Sequence, residues 1–238
     1  MREKRLEVRR LGRVAYDDAL RIQKELETAV IERPNHEYLL LLEHPHVFTL
    51  GRRSKNSGVL ATAELLRSLG IDVFEINRGG KVTYHGIGQI VGYPIINLSP
   101  DREDVHRYVR DIEDVLIRTM SDFGIGAFRI EGLTGVHTRE GKIAAIGVHI
   151  KRWVTTHGFA LNVNTDLSYY NWIIACEGEP VTSMERILDR EIDMSDVESR
   201  IADNFEVVFG YSLPKIFGVD GDLAIDPEIA SITQGTEA

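Results

Sequence analysis

The residue of this chain that most readily suggests covalent chemistry is Cys176, its only cysteine. One cysteine forms neither an internal disulfide nor a cysteine-rich zinc site, so it serves either packing or catalysis. An unperturbed thiol has a pKa of about 8.5, and a nucleophilic thiol needs a partner, usually histidine but also lysine. Lys142 opens the apolar segment GKIAAIGV. Residue type alone favours a buried inert thiol and a lysine that extends into solvent.

A second candidate site is the glycine-rich stretch RGGKVTYHGIGQIVGYP at residues 78–94. It contains neither the Gly-Lys-Ser/Thr ending of a P-loop nor the G-x-G-x-x-G pattern of a dinucleotide-binding loop, so it does not predict a phosphate site. Glycine tolerates positive φ and lets a ligand approach the backbone closely, but a tight turn between strands fits the spacing equally well. His85 within the stretch is more often a packed residue than a catalytic one.

Two further histidines, His44 and His46, lie in the segment EHPHVF. This spacing places both on one face of an extended chain. A metal site needs more ligands than these two, and the chain has no H-E-x-x-H motif and no paired cysteines. The sequence therefore predicts no metal site.

Net charge limits the class of partner. At −9, with a pI of about 5.4, the chain lacks the positive charge on which nucleic-acid binding depends. The basic clusters at 2–13 and 52–55 are explained either as solvated charge or as a docking patch for an acidic protein. No run reaches the roughly 18 apolar residues that span a bilayer, and the amino terminus lacks the apolar region of a signal peptide. We expect a cytoplasmic protein without membrane or nucleic-acid partners.

Four helices are predicted from apolar spacing. They cover residues 17–32, a short segment at 62–70 with Thr62 as N-cap, residues 103–123, and a last helix in which Ser195 and Glu198 form a capping box. The helix at 103–123 carries one apolar stripe, formed by Val105, Tyr108, Ile112, Leu116, Met120 and Phe123. The buried face of the last helix is predicted to consist of Val197, Ile201, Phe205 and Val208.

Strand-like segments lie between these helices: EYLLLLEHP at 37–45, which ends at a proline, IVGYPIINL at 90–98, KIAAIGVHI at 142–150 and GFALNVN at 158–164. They do not alternate regularly with helices, so the fold class predicted is α+β, with a mixed sheet and surrounding helices. No repeat or Pro/Ser-rich linker divides the chain. We expect one catalytic domain over residues 1–217 and a loosely held acidic tail at 218–238.

Taken together, these motifs resemble the lipoyl(octanoyl) transferase family over most of residues 11–187. The most specific parts are RGGKVTYHG-x-GQ-x-VGYPI at 78–95, the segment from KIAAIGVHIKRW to NVNTDL at 142–167, and the cysteine at 176. The resemblance implies the fold of the biotin protein ligase and lipoate ligase catalytic domain. It also implies transfer of an octanoyl group from octanoyl-acyl carrier protein to a specific lysine, without a cofactor, by a monomer. The acceptors implied are lipoyl domains of 2-oxoacid dehydrogenases and the glycine-cleavage H protein.

The resemblance also assigns roles by matching position. It implies that Cys176 accepts the acyl group as a thioester and that Lys142 lowers the pKa of this thiol. An ammonium about 4 Å from a thiolate gains roughly 4 kcal/mol at an effective dielectric of 20, enough to lower a thiol pKa by up to about 3 units before desolvation. The glycines of the 78–94 stretch are expected to leave space for the acyl chain. The substrate pocket implied consists of Arg78, Gly79, Gly80, Lys81, Val82, Thr83, Tyr84, His85, Ala145, Ile146, Gly147, Gly158, Phe159 and Ala160.

The chain departs from the family pattern at three places. Ile87 stands where proline is common, His137 stands where tryptophan is common, and the segment CEGEPVTS is about two residues shorter than usual and places Glu177 beside the cysteine. These changes bear on rate, acyl-chain fit or partner choice rather than on reaction class. Two alternatives remain open: an ATP-dependent lipoate or biotin ligase, and a non-catalytic homologue that binds acyl groups or carrier protein.

Overall fold

The computed structural model of the chain describes residues 4–54, 58–174, 179–211 and 217–218. The elements in chain order are β1 (Arg5–Arg13), α1 (Tyr16–Glu32), β2 (His36–Glu43), β3 (Val47–Leu50), α2 (Ala63–Ser68), β4 (Asp72–Glu75), β5 (Val82–His85), β6 (Gln89–Ile95), α3 (Val105–Asp122), β7 (Val136–Thr138), β8 (Gly141–Lys151), β9 (Val154–Asn162), a 3₁₀-helix (Leu167–Trp172), α4 (Met184–Leu188), α5 (Met194–Phe209) and β10 (Phe217–Gly218).

Two sheets organise these elements. The main sheet has seven strands in the order β10-β1-β2-β6-β9-β8-β7, and the small sheet has three in the order β4-β3-β5. In the main sheet β1 runs parallel to β2 and β10, whereas β2, β6, β9, β8 and β7 pair antiparallel. The predicted α+β class with a mixed sheet and surrounding helices is confirmed.

The main sheet is buried on both faces, and β2 shows why its sequence is continuously apolar. Successive side chains of a strand point to opposite faces. Leu39 and Leu41 join a large core with α3 and α5, whereas Leu40 and Leu42 join a second core with α1. A strand covered on both sides has no solvent face that needs polar residues.

The helices largely follow the sequence pattern, with two corrections. Thr62 caps α2 as predicted, since its hydroxyl accepts from the Leu65 amide. Val105 is 43% exposed, because it is the first residue of α3 and lies beyond the part of the helix that covers the sheet. The predicted capping box of α5 is wrong. Asp193 is the N-cap, and its carboxylate accepts from the amide and hydroxyl of Ser195 and from the Asp196 amide.

A glycine turn joins the small sheet to the main sheet between β5 and β6. Gly88 has φ of +79°, and a Cβ there would lie 2.3 Å from the Asn164 carbonyl oxygen. In β6, a Cβ on Gly92 would lie 2.0 Å from Cζ of Phe159. Gly86 similarly makes room for the Tyr84 hydroxyl. These glycines therefore give space to protein atoms, which corrects the expectation that they leave space for an acyl chain.

No helix among the described residues is both long enough and apolar enough to cross a membrane.

The contact between Gly92 and Phe159 generates a stability prediction. Gly92→Ala is expected to lower the free energy of unfolding by about 1–3 kcal/mol, because the new methyl group overpacks the ring of Phe159. Urea unfolding followed by circular dichroism measures this change. Gly126→Ala is the matched control, since Gly126 is exposed and a Cβ there meets nothing within 4 Å, so its effect should stay within about 0.5 kcal/mol. Equal stability of the two variants would contradict the prediction.

Candidate active site

A cleft opens where the start of α1, the small sheet and one face of the main sheet meet. It encloses about 380 Å³ of empty space, part of it continuous with solvent. The lining residues are Tyr16, Arg78, Thr83, His85, Val91, Tyr93, Ala145, Ile146, Gly147, His157, Gly158, Phe159 and Ala160.

Strand register explains why distant segments meet in this cleft. In the β8–β9 pair, Ala145 lies opposite Ala160 and Gly147 lies opposite Gly158. In the β6–β9 pair, Val91 lies opposite Ala160. Three neighbouring strands thus present small side chains side by side, and these leave a depression on the sheet face that carries α1.

All six residues predicted from the segments 145–147 and 158–160 line the cleft, but only three of the eight predicted from 78–85 do so. Thr83 and His85 alternate along β5 with Val82 and Tyr84, which belong instead to the core of the small sheet. Gly79, Gly80 and Lys81 do not line the cleft either. The Gly79 amide donates to the Val148 carbonyl and so holds this loop against β8.

Four lining residues are additional to those predicted: Tyr16, Val91, Tyr93 and His157. Val91 and Tyr93 lie within the glycine-rich stretch, and their alternation along a strand offered a signal for them. His157 directly precedes the predicted Gly158, but its φ of +56° has no sequence signature. Tyr16 comes from the start of α1, and only tertiary packing brings it to the cleft.

Arg78 is a buried cation in the wall of the cleft. Its Nη2 donates to the carbonyl and hydroxyl oxygens of Thr49, both at 2.8 Å, and Nη1 donates to the Gly79 carbonyl at 2.9 Å. Burial lowers the pKa of the guanidinium. Its Nε has no hydrogen-bond partner among the described residues. The charge is thus held by neutral oxygen atoms.

Buried histidines beside the cleft are kept neutral. Nδ1 of His44 lies 2.7 Å from the Val14 carbonyl, which only accepts, so Nδ1 carries the proton and Nε2 accepts from the Tyr93 hydroxyl at 2.8 Å. Burial lowers the pKa of His44 and of His157 to about 4, and that of His85 well below its usual value. The imidazole rings that line the cleft are therefore uncharged, and they lie beside the cation of Arg78.

The structure brings His44 and His46 into hydrogen bonds with protein groups. The ring nitrogens of His46 lie 2.8 Å from the Tyr84 hydroxyl and 3.3 Å from the Tyr169 hydroxyl. Both nitrogens of each histidine thus have protein partners. Among the residues that the structure describes, no group of three histidine, cysteine or acidic side chains is arranged to hold a metal ion.

Lys142 lies near the start of β8 and does not line the cleft. Ala145 lies three positions further along β8, roughly 10 Å away along a strand. Its side chain is largely buried, and Nζ donates to the Thr134 carbonyl at 2.7 Å. This approach requires Gly135, since a Cβ there would lie 2.6 Å from Cε of Lys142. Buried Glu113 accepts from the Gly135 amide at 3.0 Å and fixes this turn.

Two further titratable groups surround Lys142. Glu179 places Oε2 at 3.9 Å from Nζ of Lys142 and at 3.4 Å from Nε2 of His137. Burial, and then the nearby charge of Lys142, lower the pKa of His137. His137 stands where tryptophan is common in the family, so the sequence alone distinguishes it. Nothing in the residue pattern singles out Glu179.

Cys176 and Glu177 lie outside the described residues, so only the two ends of their segment are described. On one side, the Ile174 amide donates to the Gly58 carbonyl at 2.7 Å. On the other, the Lys142 amide donates to the Pro180 carbonyl at 2.8 Å, and the Thr182 amide donates to the Lys142 carbonyl at 3.0 Å. The chain that follows Cys176 is thus paired directly with Lys142.

Ile87, at the turn before β6, is 42% exposed.

Comparison with known proteins tests the resemblance. The model of the lipoyl protein ligase A/B catalytic domain matches residues 15–206. The chain belongs to this family. It is 49% identical to an octanoyltransferase of Solibacter usitatus over 87% of this chain and 94% of that protein. It is 45% identical to an octanoyltransferase of Acidobacterium capsulatum over 94% of this chain and 97% of that one. The protein is an acyltransferase of the octanoyltransferase group, and lipoyl or octanoyl transfer is its general activity.

Solved structures with similar folds are distant in sequence. A lipoate-protein ligase A bound with ATP superposes with a TM-score of 0.72 at 15% identity, covering 98% of this chain and 93% of that one. A bipartite lipoate protein ligase from Thermoplasma acidophilum gives 0.71 at 15% identity, covering 97% and 91%. A biotin protein ligase from Aquifex aeolicus in complex with biotin gives 0.50 at 13% identity, covering 86% and 70%. These likenesses confirm the predicted fold and carry no information on the reaction.

The neutral histidines generate a prediction about pH. Because the folded-state pKa values of His44 and His157 lie below the unfolded value of about 6.5, the unfolded chain binds more protons in acid. Their stabilising effect is complete above pH 6.5 and is lost as the pH falls towards 4. Each proton contributes a slope of about 1.4 kcal/mol per pH unit to the free energy of unfolding.

Urea unfolding between pH 4 and 7.5 measures this slope in the wild type and in His44→Gln. The slope of the free energy of unfolding against pH should be smaller in His44→Gln than in the wild type, by about 1.4 kcal/mol per pH unit. His106→Gln is the matched control, since His106 is exposed on α3 and its replacement should leave the slope unchanged. Identical slopes in wild type and His44→Gln would refute the assignment of His44 as a buried neutral group.

Proposed function

We propose that the protein transfers an octanoyl group from octanoyl-acyl carrier protein to a specific lysine of a lipoyl domain, through a thioester on Cys176. The acceptors are lipoyl domains of 2-oxoacid dehydrogenases and the glycine-cleavage H protein. The octanoyltransferase names of relatives at 43–49% identity support the acyl group. The backbone pairing of Lys142 with residues 180–182 supports the mechanism, because it ties the segment that follows Cys176 to the lysine expected to activate it.

In the first half of the reaction, Lys142 acts as a cation. Its ammonium has three N–H donors, and one of them is used by the Thr134 carbonyl. A donor is therefore left to stabilise the Cys176 thiolate. The thiolate attacks the thioester carbonyl of the donor and a tetrahedral intermediate forms. When the bond to the carrier sulfur breaks, the carrier leaves as a thiolate and takes a proton from the Lys142 ammonium. Octanoyl-Cys176 and a neutral Lys142 amine remain.

In the second half, Lys142 acts as a base. The incoming amine of the acceptor lysine attacks the octanoyl-Cys176 carbonyl and gives up a proton to the neutral Lys142 amine. The bond between carbon and the cysteine sulfur then breaks, an amide forms, and the cysteine leaves as a thiolate. The ammonium of Lys142 is restored in the same step, so each turnover ends with the ion pair that begins the next.

The cleft is the site that we assign to the octanoyl chain. Its floor consists of small and apolar groups on β6, β8 and β9, and β8 leads from this floor to Lys142 within three residues. The neutral state of the neighbouring histidines limits the cost of placing methylene groups against them.

Intact-protein mass spectrometry tests the covalent step. Incubation with octanoyl-acyl carrier protein should add one octanoyl group to the wild type, and Cys176→Ala should add none. Hydroxylamine should remove the adduct, as expected for a thioester. An unmodified wild type would refute the mechanism. Free octanoate with ATP is the control donor, and acylation of a lipoyl domain that depends on ATP would indicate a ligase instead.

Thiol alkylation tests the role of Lys142. Lys142→Met keeps much of the side-chain volume and removes the charge, so the pH at which Cys176 reacts with iodoacetamide should rise, by up to about 3 units. Lys24→Met, on the exposed surface of α1, is the control and should react as the wild type does. If the Lys142→Met profile coincides with that of the wild type, Lys142 does not activate the thiol.

A further inference from the structure

Lys142 has one acidic side chain in direct contact among the described residues. The carboxylate of Glu179 lies 3.9 Å from Nζ of Lys142, and its side chain is 23% exposed. Glu113 is also close to this region, but its carboxylate already forms ion pairs with Arg110 and Arg129. Glu179 has no arginine partner in the part of the chain that the structure describes. Its charge is therefore directed at Lys142 and at His137.

We propose that Glu179 is a positioning residue for Lys142: it holds the lysine ammonium in place, is itself held by His137, and sets the pH range over which transfer proceeds. The proposal rests on the proposed function in one respect, namely that Lys142 is the group that activates the thiol. It assigns a third and a fourth member to the pair formed by Cys176 and Lys142.

The backbone fixes Glu179 beside Lys142. Glu179 directly precedes Pro180, whose carbonyl accepts from the Lys142 amide, and Val181 forms a parallel bridge with Lys142. This pairing brings the main chain next to Glu179 into register with Lys142. The same strand edge that carries the lysine also receives the residues that follow the cysteine.

His137 holds the carboxylate from the other side. His137 lies opposite Lys142 in the β7–β8 pair, and only 2% of its surface is exposed. Its Nε2 lies 3.4 Å from Oε2 of Glu179, and its Nδ1 has no partner among the described residues. Burial and the charge of Lys142 lower the pKa of His137, so the ring is neutral near pH 7. A neutral ring that donates from Nε2 anchors Glu179 without cancelling its charge.

The chemistry of the pair gives this carboxylate a defined effect. A negative charge beside Lys142 stabilises its ammonium form and opposes the appearance of a second negative charge on the thiol. Removal of the charge should therefore ease formation of the thiolate and, equally, ease loss of the proton from Lys142. Both ionisations move to lower pH. A residue with a purely structural role would instead lower activity without moving either ionisation.

Three of the described elements bring titratable groups towards Lys142: β7 with His137, the segment before α4 with Glu179, and α3 with Glu113. The proposed function adds the thiolate of Cys176. Because Glu113 is paired with two arginines, its charge is largely compensated. Glu179 is therefore the group whose neutralisation should change the local potential most.

The test compares Glu179→Gln with Glu140→Gln. Glu140 is an exposed carboxylate at the turn between β7 and β8, so its replacement changes net charge equally and leaves the cluster intact. Two pH profiles are measured between pH 5 and 10: alkylation of Cys176 by iodoacetamide, and octanoyl transfer from octanoyl-acyl carrier protein to a lipoyl domain.

We expect the alkylation profile of Glu179→Gln to shift to lower pH by about 0.5–1 unit. Both limbs of its transfer profile, the rise at low pH and the fall at high pH, should shift by the same amount. Glu140→Gln should follow the wild type. Glu179→Asp should keep the wild-type limbs even if its rate falls, because it keeps the charge. Limbs of Glu179→Gln that coincide with the wild type, with or without a lower rate, would overturn the proposal.

Failure of the proposed function has a different signature. Alkylation needs no acyl donor, so its profile reports on Glu179 even if transfer from the carrier is absent. A wild type that fails to acylate Cys176 while Glu179→Gln still shifts the alkylation profile would refute the reaction and retain the cluster. A normal wild-type reaction with an unshifted Glu179→Gln profile would refute the cluster alone.

Discussion

The structure of the site depends on the antiparallel pairing of β8 with β9. This pairing sets Ala145 opposite Ala160 and Gly147 opposite Gly158, and β6 continues the row with Val91. A shift of the register by one residue would turn these side chains to the other face of the sheet and bring larger ones, such as Phe159, in their place. The same strand, before it reaches this row, carries Lys142. Register therefore fixes both the shape of the cleft and the position of the lysine relative to it.

Small residues serve two purposes in this fold. Along β8 and β9 they line a cleft, although Gly158 also lets the Gly92 carbonyl approach, since a Cβ there would lie 2.2 Å from its oxygen. In the stretch 78–94, Gly86, Gly88 and Gly92 instead let protein atoms approach one another, and a Cβ at any of the three would lie within 2.3 Å of a neighbouring atom. A glycine-rich motif thus marks close approach, but it does not say whether the approaching group is a ligand, a ring or a backbone.

Local patterns predicted most of the elements and two of the three segments that line the cleft. The segment 78–85 shows the limit of such patterns. Of its eight predicted pocket residues, only Arg78, Thr83 and His85 line the cleft. Val82 and Tyr84 alternate with them along β5 and belong to the core of the small sheet. Tyr16 and Glu179 show the other limit. Each reaches its site through pairing between segments far apart in the chain, and no spacing within one segment encodes such contacts. The error at the start of α5 was local, since Asp193 and Ser195 are two positions apart and both are residue types that cap helices.

Buried polar side chains have different partners beside the cleft and near the start of β8. Beside the cleft, burial of His85 and His157 outweighs the hydrogen bonds available to them, so their pKa values fall and the rings stay neutral against an apolar ligand. At Lys142, the side chain is buried to a similar degree, but a carbonyl at 2.7 Å and a carboxylate at 3.9 Å supply the partners that a buried ammonium requires. A chain that must bind a hydrocarbon and activate a thiol within a few residues needs both environments. The difference between them arises from the neighbours of β8: Thr134 and Glu179 contact Lys142 near its start, whereas Ala145 lies opposite Ala160 three positions later.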